Sequence, residues 1–151
     1  MLRSAGILLL RRSPAPEVLL GHMGGPFWAH KDEHAWSIPK GLHDEHEQPL
    51  AAALREFAEE LGQQAPDVAY DLLGEFRLSG GKRLTVFLGE GDLDVREIRS
   101  NTFELEWPPR SGRMQLFPEL DAAAWFDLET ARTKAVKGQA PMLAALEARL
   151  G

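Results

Sequence analysis

Three glutamates, Glu56, Glu59 and Glu60, fall within the five residues that follow Arg55, and a fourth, Glu47, stands eight residues before that arginine. Carboxylates at this density suit two kinds of chemistry. They can hold a hard divalent cation through oxygen, and one of them can take the proton of an attacking water. Their surroundings sharpen the point. On a helix, Glu56 and Glu60 form a like-charge i,i+4 pair, and Glu59 and Glu60 sit in the last turn, where the helix dipole is already negative. The following residues, Gln63 and Gln64, bring no cation, and Arg55 stands in the weaker i,i+4 order to Glu59. An acidic helix is ordinarily a solvated face. Here the charge calls for a counter-ion from outside the helix, and an oxygen-liganded divalent cation is the economical one.

The element that carries these groups is legible. From Pro49 to Leu61 the apolar residues Leu50, Ala53, Leu54, Phe57 and Leu61 recur at the spacing of one helix face. Stepping 100° per residue puts the three glutamates in a separate sector, roughly 180° to 280° from Leu50. Pro49 suits the first helical turn and Gly62 the C-terminal cap. Before the helix, residues 4 to 11 and 17 to 22 read as strands separated by a Pro-rich turn, with Trp36-Ser37-Ile38 a shorter third. After it, residues 69 to 78 and 82 to 90 read as a hairpin closed by Ser79-Gly80-Gly81, and Ala124-Trp125-Phe126 as a last strand. Helices follow near residues 129 to 136 and 141 to 150. Strands and helices interleave without a regular βαβ rhythm, so the fold class is α+β, with a mixed sheet covered by helices.

Composition narrows the partners. A chain of 151 residues with 44% hydrophobic content is expected to form one domain around one core. The net charge of -6 supplies no global field for long nucleic acid, so phosphorylated small molecules need a local cation. The absence of cysteine excludes disulfides, thiolate nucleophiles and Cys-ligated metals. The run Ile7 to Leu10 is too short for a signal-peptide core or a membrane span. A cytoplasmic address and no membrane partner are therefore expected, with the oligomeric state left as monomer or homodimer.

From Gly41 onward the spacing extends beyond the helix. Glu47 lies six residues after Gly41, Arg55-Glu56 eight and nine beyond Glu47, then come Glu59-Glu60 and Gly62. Matches of this kind arise by chance on the order of once per 10⁸ starting points. The segment GLHDEHEQPLAAALREFAEELG resembles the Nudix box, G-x5-E-x7-R-E-U-x-E-E-x-G-U, where U is a bulky apolar residue. Gln63 departs from the final apolar position, and Leu42 stands where many members have an acidic residue or glycine. The resemblance implies an α/β/α sandwich with Mg²⁺ or Mn²⁺ held by Glu56, Glu59, Glu60 and the backbone carbonyl of Lys40. It also implies that Glu47 and Arg55 buttress the loop against the helix, and we read Glu59 as the proton acceptor or a shared ligand.

Outside the box, some Nudix enzymes add an acidic ligand from a later loop, for which Glu104 and Glu106 are the candidates here. Arg110 and Arg113, beside the stiff Pro108-Pro109 turn, are candidate phosphate clamps, and Lys82, Lys31 and Lys40 are further cations within possible reach. His43-x-x-His46 lies ahead of the helix without a cysteine partner, so the histidines are read as solvated loop groups and not as zinc ligands. Trp28, Trp36 and Trp107 are read as core or loop anchors. The implied function is hydrolysis of a diphosphate linkage in a small nucleotide-like substrate, a dinucleoside polyphosphate or nucleoside triphosphate. The alternatives are a non-catalytic nucleotide-sensing module and an RNA 5′-end pyrophosphohydrolase, the latter opposed by the acidic net charge.

Overall fold

The computed structural model describes residues 2–151. Its centre is a strand apolar on both faces. In β1 (Arg3–Arg11) every residue from Ser4 to Leu10 is buried, because helices cover both sides and a run of Ile7-Leu8-Leu9-Leu10 has no solvent face to alternate with. Ile7 and Leu9 meet Ala52, Ala53, Phe57 and Leu61 of helix α1 (Pro49–Leu61). Leu8 and Leu10 point the other way. With Leu84, Val86 and Leu88 of β6 (Arg83–Glu90) they meet Ala131 of α2 (Leu128–Lys134) and Met142, Leu143 and Leu146 of α3 (Ala140–Leu150). The result is an α/β/α sandwich. Truncating a fully buried aromatic such as Phe57 to alanine costs about 3–5 kcal/mol.

The sheet is mixed. β1 runs parallel to β6 and antiparallel to β2 (Glu17–Met23), and β5 (Tyr70–Arg77) closes one side antiparallel to β6. β2 also carries the two-residue β3 (Trp36–Ser37) and the long β9 (Leu120–Asp127). The other edge of β1 is divided: Leu10 and Arg11 pair with β2, whereas Arg3 to Gly6 pair with β4 (Lys40–His43). That division brings the segment just before α1 onto the central strand.

Three features differ from the sequence-based expectation. β4 is a strand although Lys-Gly-Leu-His has no alternating apolar pattern, since the free edge of β1 supplies its hydrogen-bond partners. The segment expected as a loop at Asn101–Trp107 is instead β7 (Thr102–Glu106), paired with β8 (Met114–Pro118) in a separate two-stranded sheet. Phe103 and Leu105 alternate with Thr102, Glu104 and Glu106, which is a period-two strand signal. The histidines also differ. His22 is buried in β2, its Nδ1 2.7 Å from Asp121 Oδ1 and its Nε2 2.7 Å from the Lys31 carbonyl, and His34 Nδ1 lies 2.9 Å from the Ala135 carbonyl. Trp36 packs edge-on against Phe126, and Trp107 edge-on against Phe27.

Candidate active site

Helix α1 begins with Pro49 at its first turn and ends at Gly62, whose left-handed φ of 71° lets its N–H reach the Ala58 carbonyl. A side chain there would also strike the Arg99 backbone, 2.5 Å from the position of a Cβ. The stop is therefore fixed twice, and it sets how far Glu59 and Glu60 extend toward the cleft.

Arg55 is the hub beside them. Its Nε and Nη2 donate to Glu47 Oε2 and Oε1, each at 2.9 Å, the parallel two-bond geometry that guanidinium and carboxylate planes favour. Its Nη1 donates to Glu56 at 2.8 Å and to Glu59 at 3.2 Å. Hydrogen bonding from Arg55 holds Glu47 below the usual carboxylate range, and bonding to Glu47, then Glu56 and Glu59, raises Arg55. The loop presenting Glu47 is shaped by Asp44, whose carboxylate accepts the N–H groups of His46 and Glu47 at 2.8 and 3.0 Å. The sequence reading did not single out Asp44. Its signal is an Asx turn ahead of a helix.

Glu60 is the most deeply buried of the acidic groups. Its Oε1 accepts the Lys40 N–H at 2.8 Å, tying the last turn of α1 to β4. Burial nonetheless pushes its carboxyl up to about 8, the backbone bond and the Lys40 charge opposing that shift. Burial also raises Glu56, against the lowering influence of Arg55.

Glu56, Glu59 and Glu60 face a cleft of about 430 Å³ together with Lys40, Gly41, Leu42, Asn101, Thr102 and Glu119. Glu119 is the carboxylate the sequence reading missed. It follows β8, its N–H donates to the Asn101 carbonyl at 2.8 Å, and its charge contributes to raising Glu60. Glu104 and Glu106 do not line this cleft. They sit on the exposed face of β7, opposite Leu116 and Met114, and Glu106 accepts the Arg110 N–H at 2.8 Å. Arg110 and Arg113 lie at the exposed tip of the hairpin. Strand rise alone separates that tip from Thr102 by roughly 13 Å, so neither arginine forms part of the cleft. Lys82 lines a different cavity, with Arg77 and Arg83.

Every side chain facing the cleft from α1 offers carboxylate oxygen, the donor type that hard divalent cations select. As they stand, the carboxylates are engaged with Arg55 and with the Lys40 N–H, and among the described residues no three acidic or histidine side chains converge as a ready-made metal cluster. The fit therefore rests on donor chemistry and on a buried carboxyl whose ionised form lacks a full counter-charge.

Comparison with known proteins agrees with this architecture. The NUDIX domain matches residues 1–146, and the chain belongs to that family as a Nudix hydrolase. Among solved structures it is similar to the C. elegans Ap4A hydrolase in a binary complex, with TM-score 0.68 and 22% identity over 97% of both chains. It is also similar to the NUDIX domain of Shewanella oneidensis NrtR complexed with ADP ribose (TM-score 0.67, 16% identity, 100% of this chain and 89% of that one). A third is the M. smegmatis Nudix hydrolase RenU, with TM-score 0.63 and 22% identity over 98% of this chain and 86% of that one. No curated protein matches the chain in sequence. Family members generally use divalent metal ions.

Proposed function

We propose that residues 1–151 form one cytoplasmic domain that hydrolyses a diphosphate linkage in a small nucleotide with a long phosphate chain, a dinucleoside polyphosphate or nucleoside triphosphate, using Mg²⁺ or Mn²⁺. The observation that carries the reading is that Glu56, Glu59, Glu60 and Glu119 line one cleft together with Lys40. Those four carboxylates and the Lys40 carbonyl would hold the ion. Bound there, a divalent cation neutralises phosphate charge and acidifies water.

The chain's own residues do the rest. The Lys40 N–H fixes one oxygen of Glu60, so the deepest carboxylate cannot rotate away from the cleft. Arg55 holds Glu56 and Glu59 side by side while Glu47 fixes the guanidinium, so the carboxylates are aligned before substrate arrives. Glu59, more exposed than Glu56, takes the proton of the attacking water. Lys40 brings an ammonium to the cleft that can meet substrate phosphate.

The choice of a long phosphate chain is supported by charge. In a protein of net charge -6, affinity must come from metals and local cations, and it grows with the number of phosphate groups they hold. The Ap4A hydrolase likeness over nearly the whole chain points the same way. A nucleotide-sensing role is favoured by one observation, the likeness to a NUDIX domain complexed with ADP ribose. A Mg²⁺-supplemented product analysis over nucleoside triphosphates, dinucleoside polyphosphates and ADP-ribose separates the two. Turnover releasing a nucleoside monophosphate supports the hydrolase, and saturable binding without turnover supports the sensor.

A further inference from the structure

Cross-strand register places like charges side by side at one end of the main sheet. Arg77 of β5 is the direct partner of Arg83 of β6, Arg83 is the direct partner of Arg3 of β1, and Arg3 is the direct partner of His43 of β4. Directly opposed residues point to the same face, so three guanidiniums and an imidazole form one row across four strands, roughly 14 Å from end to end. Like charges in direct opposition destabilise a sheet. Among the described residues no carboxylate forms an ion pair with Arg3, Arg77, Lys82 or Arg83, although Glu75 lies two residues from Arg77 on the same face of β5. The turn beyond the row opens into a cavity of about 330 Å³ lined by Arg77, Leu78, Gly81, Lys82 and Arg83. Gly81 at its wall and the preceding Gly80 have left-handed φ values of 77° and 76°, and a Cβ at either would meet nothing within 4 Å. The approach is therefore open.

We propose that Arg3, Arg83 and Arg77, with Lys82 at the mouth of the cavity, form a metal-independent anion site that takes an oligophosphate chain. A row of guanidiniums spaced by adjacent strands can meet successive phosphate groups through two-bond contacts, and each phosphate bound removes repulsion that the empty row carries. The site is distinct from the acidic cleft, which is lined on α1 by carboxylates and takes phosphate only through a cation. His43 ends the row on β4, the strand whose Lys40, Gly41 and Leu42 line that cleft. The same chemistry thus serves either the far end of a substrate's phosphate chain or a free polyphosphate.

The test uses the full chain in excess chelator, so its outcome does not depend on the hydrolase reading. Sodium tripolyphosphate should raise the melting temperature of the wild type, and isothermal titration should show saturable binding. Arg83→Gln should be about 1–3 °C more stable than wild type without anion, because two repulsions are removed, and should lose most of the tripolyphosphate increment. Arg77→Gln, on an exposed residue, repeats the test should Arg83→Gln fold poorly. Glu60→Gln should keep the increment. No increment in the wild type, an increment retained in both arginine variants, or one abolished by Glu60→Gln would overturn the proposal. Turnover with Mg²⁺ then separates the two sources. A rise in KM of about tenfold in Arg77→Gln with kcat unchanged assigns the site to the substrate's own chain. An unchanged KM with tripolyphosphate binding lost assigns it to free polyphosphate.

Discussion

The carboxylate of Glu56 lies against the α-carbon of Gly41, so closely that a Cβ at that glycine would stand 1.9 Å from Glu56 Cδ. Gly41 is half-buried in β4 and paired with Ala5, so the strand cannot move aside. The glycine is needed for this close approach to the Glu56 carboxylate. Gly41→Ala should therefore swing Glu56 out of alignment and lower kcat on the order of 10²-fold. Circular dichroism and turnover on the same preparation check this. A folded Gly41→Ala protein with wild-type kcat would show that the Glu56 position does not matter.

Arg55 and Glu56 should separate in their effects on stability. Arg55→Ala removes the two-bond contact to Glu47 and the bonds to Glu56 and Glu59, so it should lower both the melting temperature and, by roughly 10–100-fold, the activity. Glu56→Gln keeps an acceptor for Arg55 and removes a charge that burial already disfavours. It should lower activity and leave the melting temperature unchanged or higher. A melting series with the reverse order would mean the structural and catalytic roles have been exchanged.

Glu60 gives the protein a pH signature. Burial raises its carboxyl to about 8 in the folded chain, above its ordinary value of 4.5. The folded state therefore holds the proton more tightly than the unfolded one. The associated stability is fully present below 4.5 and is lost as pH rises through about 8. In chelator, the melting temperature of the wild type should fall across this window more steeply than that of Glu60→Gln. Added Mg²⁺ should restore stability most at the alkaline end, where the carboxylate is ionised. Parallel curves for the two proteins in chelator would contradict the assignment.

Of the acidic residues beyond the helix, Glu119 and not Glu104 or Glu106 should matter. Glu119→Gln should reduce kcat by about 10–100-fold, the effect of losing one charge-assisted contact of roughly 1.5–3 kcal/mol. Glu104→Gln, on the outer face of the hairpin, should turn over like wild type. Steady-state kinetics on both variants decides between them.

How much of this was readable from the chain alone follows from where the information lies. Helix α1 was legible because its apolar stripe, Pro49 and Gly62 are local signals, and the spacing of Glu47, Arg55, Glu56, Glu59 and Glu60 is local too. Glu119 was not legible, because it reaches the cleft only through tertiary pairing. Thr102 opposes Pro118 in the hairpin, which sets Glu119 across from Asn101 at the cleft. Reading the Phe103/Leu105 alternation as a strand would have shown Glu104 and Glu106 running along β7 away from Thr102, which lines the cleft, and moved attention to the far end of β8. The arginine row was hidden in part for the same reason. Arg77 and Arg83 face each other across the expected hairpin, but Arg3 joins them only once β1 lies parallel to β6, a pairing no local pattern encodes.

The most direct test of the central claim is a metal titration of diphosphate hydrolysis by the wild type and Glu60→Gln on one nucleoside triphosphate and one dinucleoside polyphosphate. Wild-type turnover should be abolished by excess chelator and restored in a saturable way by Mg²⁺ or Mn²⁺. Glu60→Gln should need more metal and remain slower at saturation by orders of magnitude. Undiminished wild-type turnover in excess chelator, or identical metal dependence in the two proteins, would contradict a cleft whose carboxylates act by holding a divalent cation.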